Sequence, residues 1–104
     1  MVIINGRFKW KQGDAPLAAM GALAARIRSR HHGNIDYRLS VDSGDSSQFF
    51  LNEAWEAQAD FVAHGNTEEV RELGVLLYGN VSDVLLNLHE VSGTTPLAVD
   101  LGQG

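Results

Sequence analysis

The stretch NIDYRLSV, residues 34–41, alternates polar and apolar side chains from end to end. A period of two is that of a β-strand with one buried face. The small polar turn DSGDS at residues 42–46 follows it, and a second alternating run, FFLNEAW at residues 49–55, follows the turn. Two such runs around a turn of this kind are typical of a β-hairpin, so these residues predict two antiparallel strands.

Each strand of this hairpin is predicted to turn one set of side chains toward the core. In the first strand the set is Ile35, Tyr37, Leu39 and Val41. In the second strand the set is Phe49, Leu51, Glu53 and Trp55. A carboxylate on an otherwise apolar face is costly to bury unless it has a partner. Glu53 is therefore a candidate functional residue.

Toward the N terminus, a strand and a helix are predicted before the hairpin. Residues 2–11 form the strand, and Asp14 is the expected N-cap of the helix, with Pro16 in its first turn. The helix is expected to end near Arg30, and Gly33 to follow it in the left-handed conformation. The apolar stripe that recurs at helical spacing consists of Leu17, Met20, Leu23, Ala24 and Ile27.

Toward the C terminus, a broken helix and a last strand are predicted. Residues 56–79 have helical spacing interrupted by HGN at residues 64–66, where Asn66 is the expected cap of the second piece. A last strand is expected over residues 82–91. Residues 92–104 have weak periodicity and are expected to be a tail or an arm that packs on a partner subunit.

The order strand, helix, strand, strand, helix, strand predicts the fold class. It is the split βαβ order of an α+β, ferredoxin-like unit with a four-stranded antiparallel sheet, here covering residues 1–91. Right-handed crossovers place the helices on one side of the sheet, which leaves the other face bare. Apolar side chains expected on that face are Ile3, Phe50 and Leu85. Because an exposed apolar face is unfavourable, the chain is predicted to form a homodimer through it.

Composition excludes several classes of function. The formal net charge is −5 over 104 residues, which argues against nucleic-acid binding. The chain has no cysteine, and no apolar run approaches the ~20 residues needed to span a bilayer. Its start lacks the basic leader and long apolar core of a signal peptide. These features predict no membrane association and a cytoplasmic location.

Three motifs in this order resemble a known family. They are GNIDY at residues 33–37, FLNEAWE at residues 50–56, and His64, nine positions after Trp55. Together they resemble the antibiotic-biosynthesis monooxygenase family over roughly residues 2–91. The resemblance implies a dimeric α+β barrel built on the ferredoxin-like unit. It also implies one of the family's activities, which include cofactor-independent oxidation of polyketide anthrones and quinols, and haem degradation.

The sequence departs from the family pattern at two places. Many members carry Glu-Pro just before the glycine, where this chain has His31 and His32. Many also carry a second histidine about five residues after the first, where this chain has Glu69. The resemblance therefore supports functions that need one imidazole at this site rather than two. Because the iron-binding histidine of the haem-degrading branch lies near the position of Glu69, haem degradation is the less expected activity.

The resemblance implies a reaction without metal or flavin, in which the protein helps remove a proton from an electron-rich phenol. His64 is the candidate general base, because imidazole titrates near working pH. Its alternative is a local cap at a helix end. Glu53 is the second candidate catalytic residue, as a proton acceptor or as a group that orients a substrate hydroxyl. Its alternative is a buried pair with Arg7 or Arg38.

Three further residues are candidates for binding the substrate. Trp55 is expected to form a wall against which a planar ring stacks, or else to be a core aromatic. Tyr37 is expected to donate a hydrogen bond to a phenolate, or else to lie in the core. Asn5 is expected to project a polar group from the first strand. No metal site is expected at His31 and His32, because adjacent histidines point apart and no third ligand is evident.

Two functions from different classes follow. The first is a cofactor-independent monooxygenase that oxidises a quinol, an anthrone or a similar polyphenol with O2. The second is a non-catalytic homodimer that binds a small aromatic ligand. The residues Trp55, Glu53 and His64 favour the enzyme, whereas Glu69, in place of a second histidine, favours the binding protein.

Overall fold

A four-stranded antiparallel sheet carries three helices on one face in the computed structural model, which describes residues 1–102. The elements are β1 (Val2–Trp10), α1 (Leu17–Arg30), β2 (Asn34–Val41), β3 (Gln48–Trp55), α2 (Gln58–His64), α3 (Glu68–Leu77) and β4 (Val81–Glu90). The strand order across the sheet is β2-β3-β1-β4. This order and the antiparallel pairing confirm the predicted α+β, ferredoxin-like fold.

The core lies between the sheet and the helices. Its largest fully buried side chains are Trp55, Tyr37, Phe49, Met20 and Ile27. The alternation predicted for β3 is confirmed, because all four members of its inward set are buried. Phe8 of β1 stacks on Phe49 of β3 with ring centroids 5.0 Å apart, which joins the two central strands on the helix side of the sheet.

The alternation predicted for β2 fails at its start. Ile35 is 52% exposed, although it belongs to the set expected in the core. The pairing of β2 with β3 shifts register between Asn34 and Asp36, which is a β-bulge. A bulge adds a residue to one strand and turns its side chain away from the regular pleat. Tyr37 lies beyond the bulge and is buried as expected.

The predicted start of α1 is also wrong. The helix begins at Leu17, directly after Pro16, with no side-chain cap at that position. Asp14 instead accepts a hydrogen bond from the Ser46 hydroxyl at 2.6 Å, which ties the loop before α1 to the β2–β3 turn. Pro16 supplies a fixed φ and lacks an N–H, so the first turn has less need of a capping side chain.

The predicted break in the second helical region is confirmed, but its cap differs by one residue. α2 ends at His64 and α3 begins at Glu68. Thr67, not Asn66, is the N-cap, because its hydroxyl oxygen accepts a hydrogen bond from the backbone N–H of Val70 at 3.4 Å. The Thr67 hydroxyl also donates to the carbonyl oxygen of His64 at 2.7 Å. This residue therefore fixes the end of α2 as well as the start of α3.

The sheet face opposite the helices is open. Phe50 and Leu85 both lie beside Arg7 in the register, one on each neighbouring strand, and Leu85 is 46% exposed. A shallow depression of about 250 Å³ lies between them. Beyond β4, residues 92–102 form neither helix nor strand. Within the described part of the chain, no helix is both long and apolar enough to cross a membrane.

Candidate active site

Four of the five residues predicted for the site lie together on the helix side of the sheet. Glu53 accepts a hydrogen bond from the indole N–H of Trp55, with Nε1 and Oε1 3.0 Å apart. Nε2 of His64 lies 3.6 Å from the same carboxylate oxygen. The His64 ring centroid is 4.6 Å from that of Trp55 and 5.5 Å from that of Tyr37. Neighbouring strands and the end of α2 thus bring these residues into contact.

Asn5 lies apart from these four residues. It lines the depression on the open face of the sheet, and its Oδ1 lies 3.1 Å from Nε2 of His89. The reason is the pleat of β1, in which neighbouring residues face opposite sides and Ile4 is the one that enters the core. The expectation that Asn5 shares a binding site with Trp55 is therefore wrong for this chain.

The alternative partners weighed for Glu53 are also not used. Nε of Arg38 pairs with Asp36 at 2.8 Å, and Arg7 is exposed and lines the depression on the open face. Among residues 1–102, the Glu53 carboxyl lies within hydrogen-bond or ion-pair distance of Trp55 and His64. Its neighbours are thus a neutral donor and an imidazole rather than a permanent cation.

Two residues that the sequence did not place in the site complete it. Nδ1 of His31 lies 2.7 Å from Nδ1 of His64, and Nε2 of His31 lies 3.1 Å from Oε1 of Glu69. Glu53, His64, His31 and Glu69 therefore contact one another in this order, and we call them the buried row. Each of the four side chains is less than a tenth exposed.

His31 and Glu69 are also two of the positions at which the sequence departs from the family pattern. A histidine stands where many members carry glutamate, and a glutamate stands where many carry histidine. The two departures are in contact at 3.1 Å. The sequence indicated this contact only indirectly: both residues differ from the family pattern, and one is a base while the other is an acid. Nothing in the local pattern could indicate it, because the two residues are 38 positions apart.

The local backbone explains how His31 reaches the site. α1 ends at Arg30, and His31 adopts an extended conformation while its N–H still bonds to the carbonyl of Ile27 at 3.0 Å. Gly33 follows with φ of +75°, in the left-handed region that was predicted for it. A Cβ at this position would overlap the carboxylate of Asp60. Glycine is therefore needed twice over, for the turn and for the close approach of α2.

The ionisation of the buried row follows from its burial. Burial raises the pKa of Glu53 to about 7, although the Trp55 hydrogen bond opposes the shift. Burial also lowers the pKa of His64 to about 4, helped by the neighbouring His31 and opposed by Glu69. Near neutral pH, His64 is therefore a neutral imidazole. Burial and the charge of Glu53 both raise the pKa of Tyr37, so its hydroxyl keeps its proton and can donate.

Glu69 is ionised at the other end of the row. Burial acts to raise the pKa of its carboxyl, but the His31 hydrogen bond and nearby positive charge outweigh burial and lower the pKa. Arg26 contributes from the outer side, with Nη2 3.7 Å from Oε2 of Glu69. An ionised carboxylate only accepts hydrogen bonds, so Nε2 of His31 carries a proton. The two Nδ1 atoms of His31 and His64 then share a single proton between them.

A cavity of about 290 Å³ opens beside the inner end of the buried row. Its polar side chains are Tyr37, Glu53 and His64, and its apolar side chains include Phe8, Phe61 and Leu73. Trp55 is not among the lining residues, because it lies fully buried behind Glu53 and His64. The aromatic walls are therefore Phe8, Tyr37 and Phe61, whereas Trp55 holds the Glu53 carboxyl in place.

A second cavity, of about 220 Å³, lies on the far side of His64. It is lined by His31, by the exposed His32, by the end of α2 and by Thr67. His64 lines both cavities and thus separates them. Among residues 1–102, no group of three or more His, Asp or Glu side chains has an arrangement that could hold a metal ion.

The family model for antibiotic biosynthesis monooxygenases matches residues 1–73, which is more than two thirds of the chain. The chain belongs to the antibiotic biosynthesis monooxygenase family. The matched range includes Tyr37, Trp55 and all four members of the buried row. A search of curated proteins found no match.

Solved structures of this monooxygenase family share the fold. A candidate antibiotic biosynthesis monooxygenase from Deinococcus radiodurans aligns with a TM-score of 0.80 at 20% identity, covering 95% of this chain and 100% of that one. A candidate from Nitrosomonas europaea aligns with a TM-score of 0.79 at 16% identity, covering 89% and 100%. The N63A mutant of SnoaB, a cofactor-independent oxygenase from Streptomyces nogalater, aligns with a TM-score of 0.75 at 15% identity, covering 92% and 97%.

Proposed function

We propose that this chain is a cofactor-independent monooxygenase that oxidises a flat polyphenolic compound, such as a quinol or an anthrone, with O2. One observation supports this most strongly. A neutral, buried imidazole and a carboxyl group face an otherwise apolar cavity with aromatic walls. Similarity in fold to SnoaB, which is a cofactor-independent oxygenase, supports the same class of reaction.

The cavity suits an aromatic substrate. Its walls are apolar except at Tyr37, Glu53 and His64, so a planar ring gains by leaving water and the substrate hydroxyl has polar partners at one end. The Tyr37 hydroxyl stays protonated and can donate to a developing phenolate. Glu53, whose pKa is about 7, can accept a hydrogen bond as carboxylate or donate one as acid.

In the proposed reaction, Nε2 of His64 removes a proton from the substrate. The resulting anion transfers an electron to O2, and the two radicals combine into a peroxide at the oxidised carbon, which takes up a proton. Loss of the remaining C–H proton and cleavage of the O–O bond then leave a carbonyl and release water. For an anthrone, the sum is anthrone plus O2 giving anthraquinone plus water. All four electrons that reduce O2 come from the substrate, so the balance needs no further reductant.

The proposed enzyme works as a homodimer through the open sheet face. Phe50 and Leu85 lie there, and an exposed apolar sheet face is unfavourable in an isolated subunit. The exposed apolar residues of the segment after β4 are proposed to pack on the partner as an arm; these are Leu97, Val99 and Leu101. The proposed location of the dimer is the cytoplasm.

A second candidate function is a non-catalytic protein that binds a small aromatic ligand in the same cavity. The observation that favours it is Glu69, which takes the place of a second histidine of the family pattern. The two functions make the same prediction for ligand binding and opposite predictions for oxygen consumption.

Oxygen uptake separates them. Metal-stripped, flavin-free protein is assayed with an oxygen electrode against a panel of hydroquinones and anthrones. The oxygenase predicts uptake above the spontaneous rate that rises in proportion to protein concentration. Binding of a panel member, measured by fluorescence quenching, without any uptake would favour the binding protein instead.

A further inference from the structure

The third and fourth members of the buried row, His31 and Glu69, have no role in the proposed function so far. We infer that His31 and Glu69 form a proton relay behind His64, which passes its Nδ1 proton to His31 as its Nε2 takes a proton from the substrate. The inference rests on the proposed function in one respect, because that function makes the substrate the source of the proton. The arrangement of hydrogen bonds that it requires is independent of any substrate.

The geometry of the relay is continuous. Its two links are the 2.7 Å contact between the Nδ1 atoms and the 3.1 Å contact between Nε2 of His31 and Glu69. Because Glu69 fixes the His31 proton on Nε2, Nδ1 of neutral His31 is left as an acceptor. Nδ1 of His64 must then donate, which leaves Nε2 of His64 unprotonated. That is the nitrogen closest to Glu53, and His64 lines the substrate cavity.

One proton moves at each step of the relay. A substrate proton bonds to Nε2 of His64, and the Nδ1–H bond of His64 breaks as a proton bonds to Nδ1 of His31. His64 is neutral before and after, with its proton moved from one ring nitrogen to the other. His31 becomes an imidazolium whose two N–H groups point at His64 and at the Glu69 carboxylate. No electrons are transferred, and the positive charge lies beside a carboxylate.

The relay resolves a difficulty in using His64 alone. Burial strongly disfavours a positive charge on this ring, so a base that had to keep the proton would be weak. Moving the charge one ring further places it next to Glu69, where the ion pair stabilises it. The relay is reset when the peroxide takes the proton from Nε2 of His64 and the Nδ1 proton of His31 returns to Nδ1 of His64.

The charged and titratable groups around the two rings come from all the elements packed against them. They are Arg26, Arg28 and Arg30 of α1, His32 after it, Tyr37 of β2, Glu53 of β3, Asp60 of α2, and Glu69 of α3. Of these, Glu69 is the group that contacts His31 on the side away from His64. It is therefore the residue whose charge sets the direction of the hydrogen bonds.

The test compares Glu69→Gln with Glu72→Gln. Both replacements remove one carboxylate charge from α3, and both carboxylates lie near Arg26, but Glu72 does not contact His31. Nitrogen-15 NMR of the imidazole rings in the full-length, substrate-free protein reports which ring nitrogens carry protons. The relay predicts protonated Nε2 on His31, protonated Nδ1 on His64, and a scalar coupling between the two Nδ1 atoms across their hydrogen bond.

In Glu69→Gln, the carboxylate is replaced by an amide that can also donate a hydrogen bond. The His31 proton should then no longer be held on Nε2. Part of the His64 population should then carry its proton on Nε2, while Glu72→Gln keeps the native pattern. In the oxygen-uptake assay, kcat should fall on the order of tenfold in Glu69→Gln, with KM little changed, and stay the same in Glu72→Gln.

Two outcomes would overturn the relay. If native His64 carries its proton on Nε2 near neutral pH, the relay is wrong whatever the activity. Equal kcat for Glu69→Gln and native protein would show that no proton is transferred along these hydrogen bonds during turnover. If native protein oxidises no substrate, the proposed function fails, and the NMR result still decides whether the rings are arranged for proton transfer.

Discussion

The Nδ1 atoms of His31 and His64 lie 2.7 Å apart, although 33 positions separate the residues in the chain. One ring comes from the end of α1 and the other from the end of α2. A hydrogen bond between two buried imidazoles permits only one proton between the facing nitrogens, so the state of each ring depends on the other. This coupling links the substrate cavity to the carboxylate at the start of α3.

Replacement of His64 by alanine should abolish most of the activity. A positioned general base contributes about 10²- to 10⁴-fold to a rate, so kcat of His64→Ala should fall at least about 100-fold. KM should change much less, because the cavity walls remain. Steady-state oxygen uptake measures both constants. His32→Ala is the control, since that exposed side chain does not contact the cavity of His64 and Glu53. Equal losses in the two variants would rule out His64 as the base.

Glu53 should make the protein less stable as pH rises. Its pKa is about 7 in the folded state and 4.5 as the ordinary value, so folding favours the protonated acid. The stabilisation is complete below about pH 4.5 and is lost as pH rises through 7, by on the order of 3 kcal/mol. Glu53→Gln should remove this loss in urea unfolding measured from pH 4.5 to 8. Glu56→Gln, at an exposed position, should not.

His64 should make the protein less stable as pH falls. Its pKa is about 4 in the folded state and 6.5 as the ordinary value, so folding favours the neutral ring. Its stabilisation is present above pH 6.5 and is lost as pH falls through 4. His64→Gln should therefore flatten the acid side of the stability profile measured by urea unfolding. A profile unchanged from native protein below pH 6.5 would contradict the assigned burial of this ring.

Gly33 and Gly21 should respond oppositely to alanine. Gly33 has φ of +75°, and a Cβ there would overlap Asp60, so Gly33→Ala should destabilise the protein by roughly 1–3 kcal/mol. Gly21 lies inside α1 with open space around it, so Gly21→Ala should stabilise by about 0.5–1 kcal/mol. Thermal unfolding measures both changes. Similar effects of the two substitutions would argue against the turn that positions His31.

The dimer prediction is tested on the open sheet face. A charge at Leu85 would be buried in the proposed interface without a partner, so Leu85→Glu should give monomer at micromolar concentration. Val75→Glu is the control, because Val75 is an exposed apolar residue on α3, away from that face. Light scattering gives the mass of each variant. Native protein that is monomeric at these concentrations would refute the dimer.

The fold was predictable because its signals are local. Alternation over residues 48–55 and the helical stripe of α1 depend only on neighbours in sequence, and both are present in the structure. Ile35 shows where a local signal fails. Its alternation is regular in sequence, but the bulge that exposes it depends on pairing with β3, which the sequence of β2 alone does not specify.

The site was predictable only in part, because only some of its contacts are between residues whose local pattern reveals them. Tyr37, Glu53 and Trp55 were found together because they lie on the inward faces of the hairpin strands. His31 and Glu69 were missed because their contact joins the end of α1 to the start of α3 and leaves no pattern in either segment. Asn5 was wrongly assigned to the site, because the assignment followed the resemblance to the family. The pleat of β1 places Asn5 on the open face of the sheet.

Isotope labelling tests the central claim, that the protein inserts one oxygen atom without a cofactor, most directly. Metal-stripped, flavin-free protein is incubated with an anthrone that it oxidises under ¹⁸O2, and the quinone is analysed by mass spectrometry. The account predicts one ¹⁸O atom in the product, consumption of one O2 for each substrate, and a rate that depends on His64. No enzyme-dependent product from any anthrone or hydroquinone in the panel, or product oxygen derived from water alone, would contradict it.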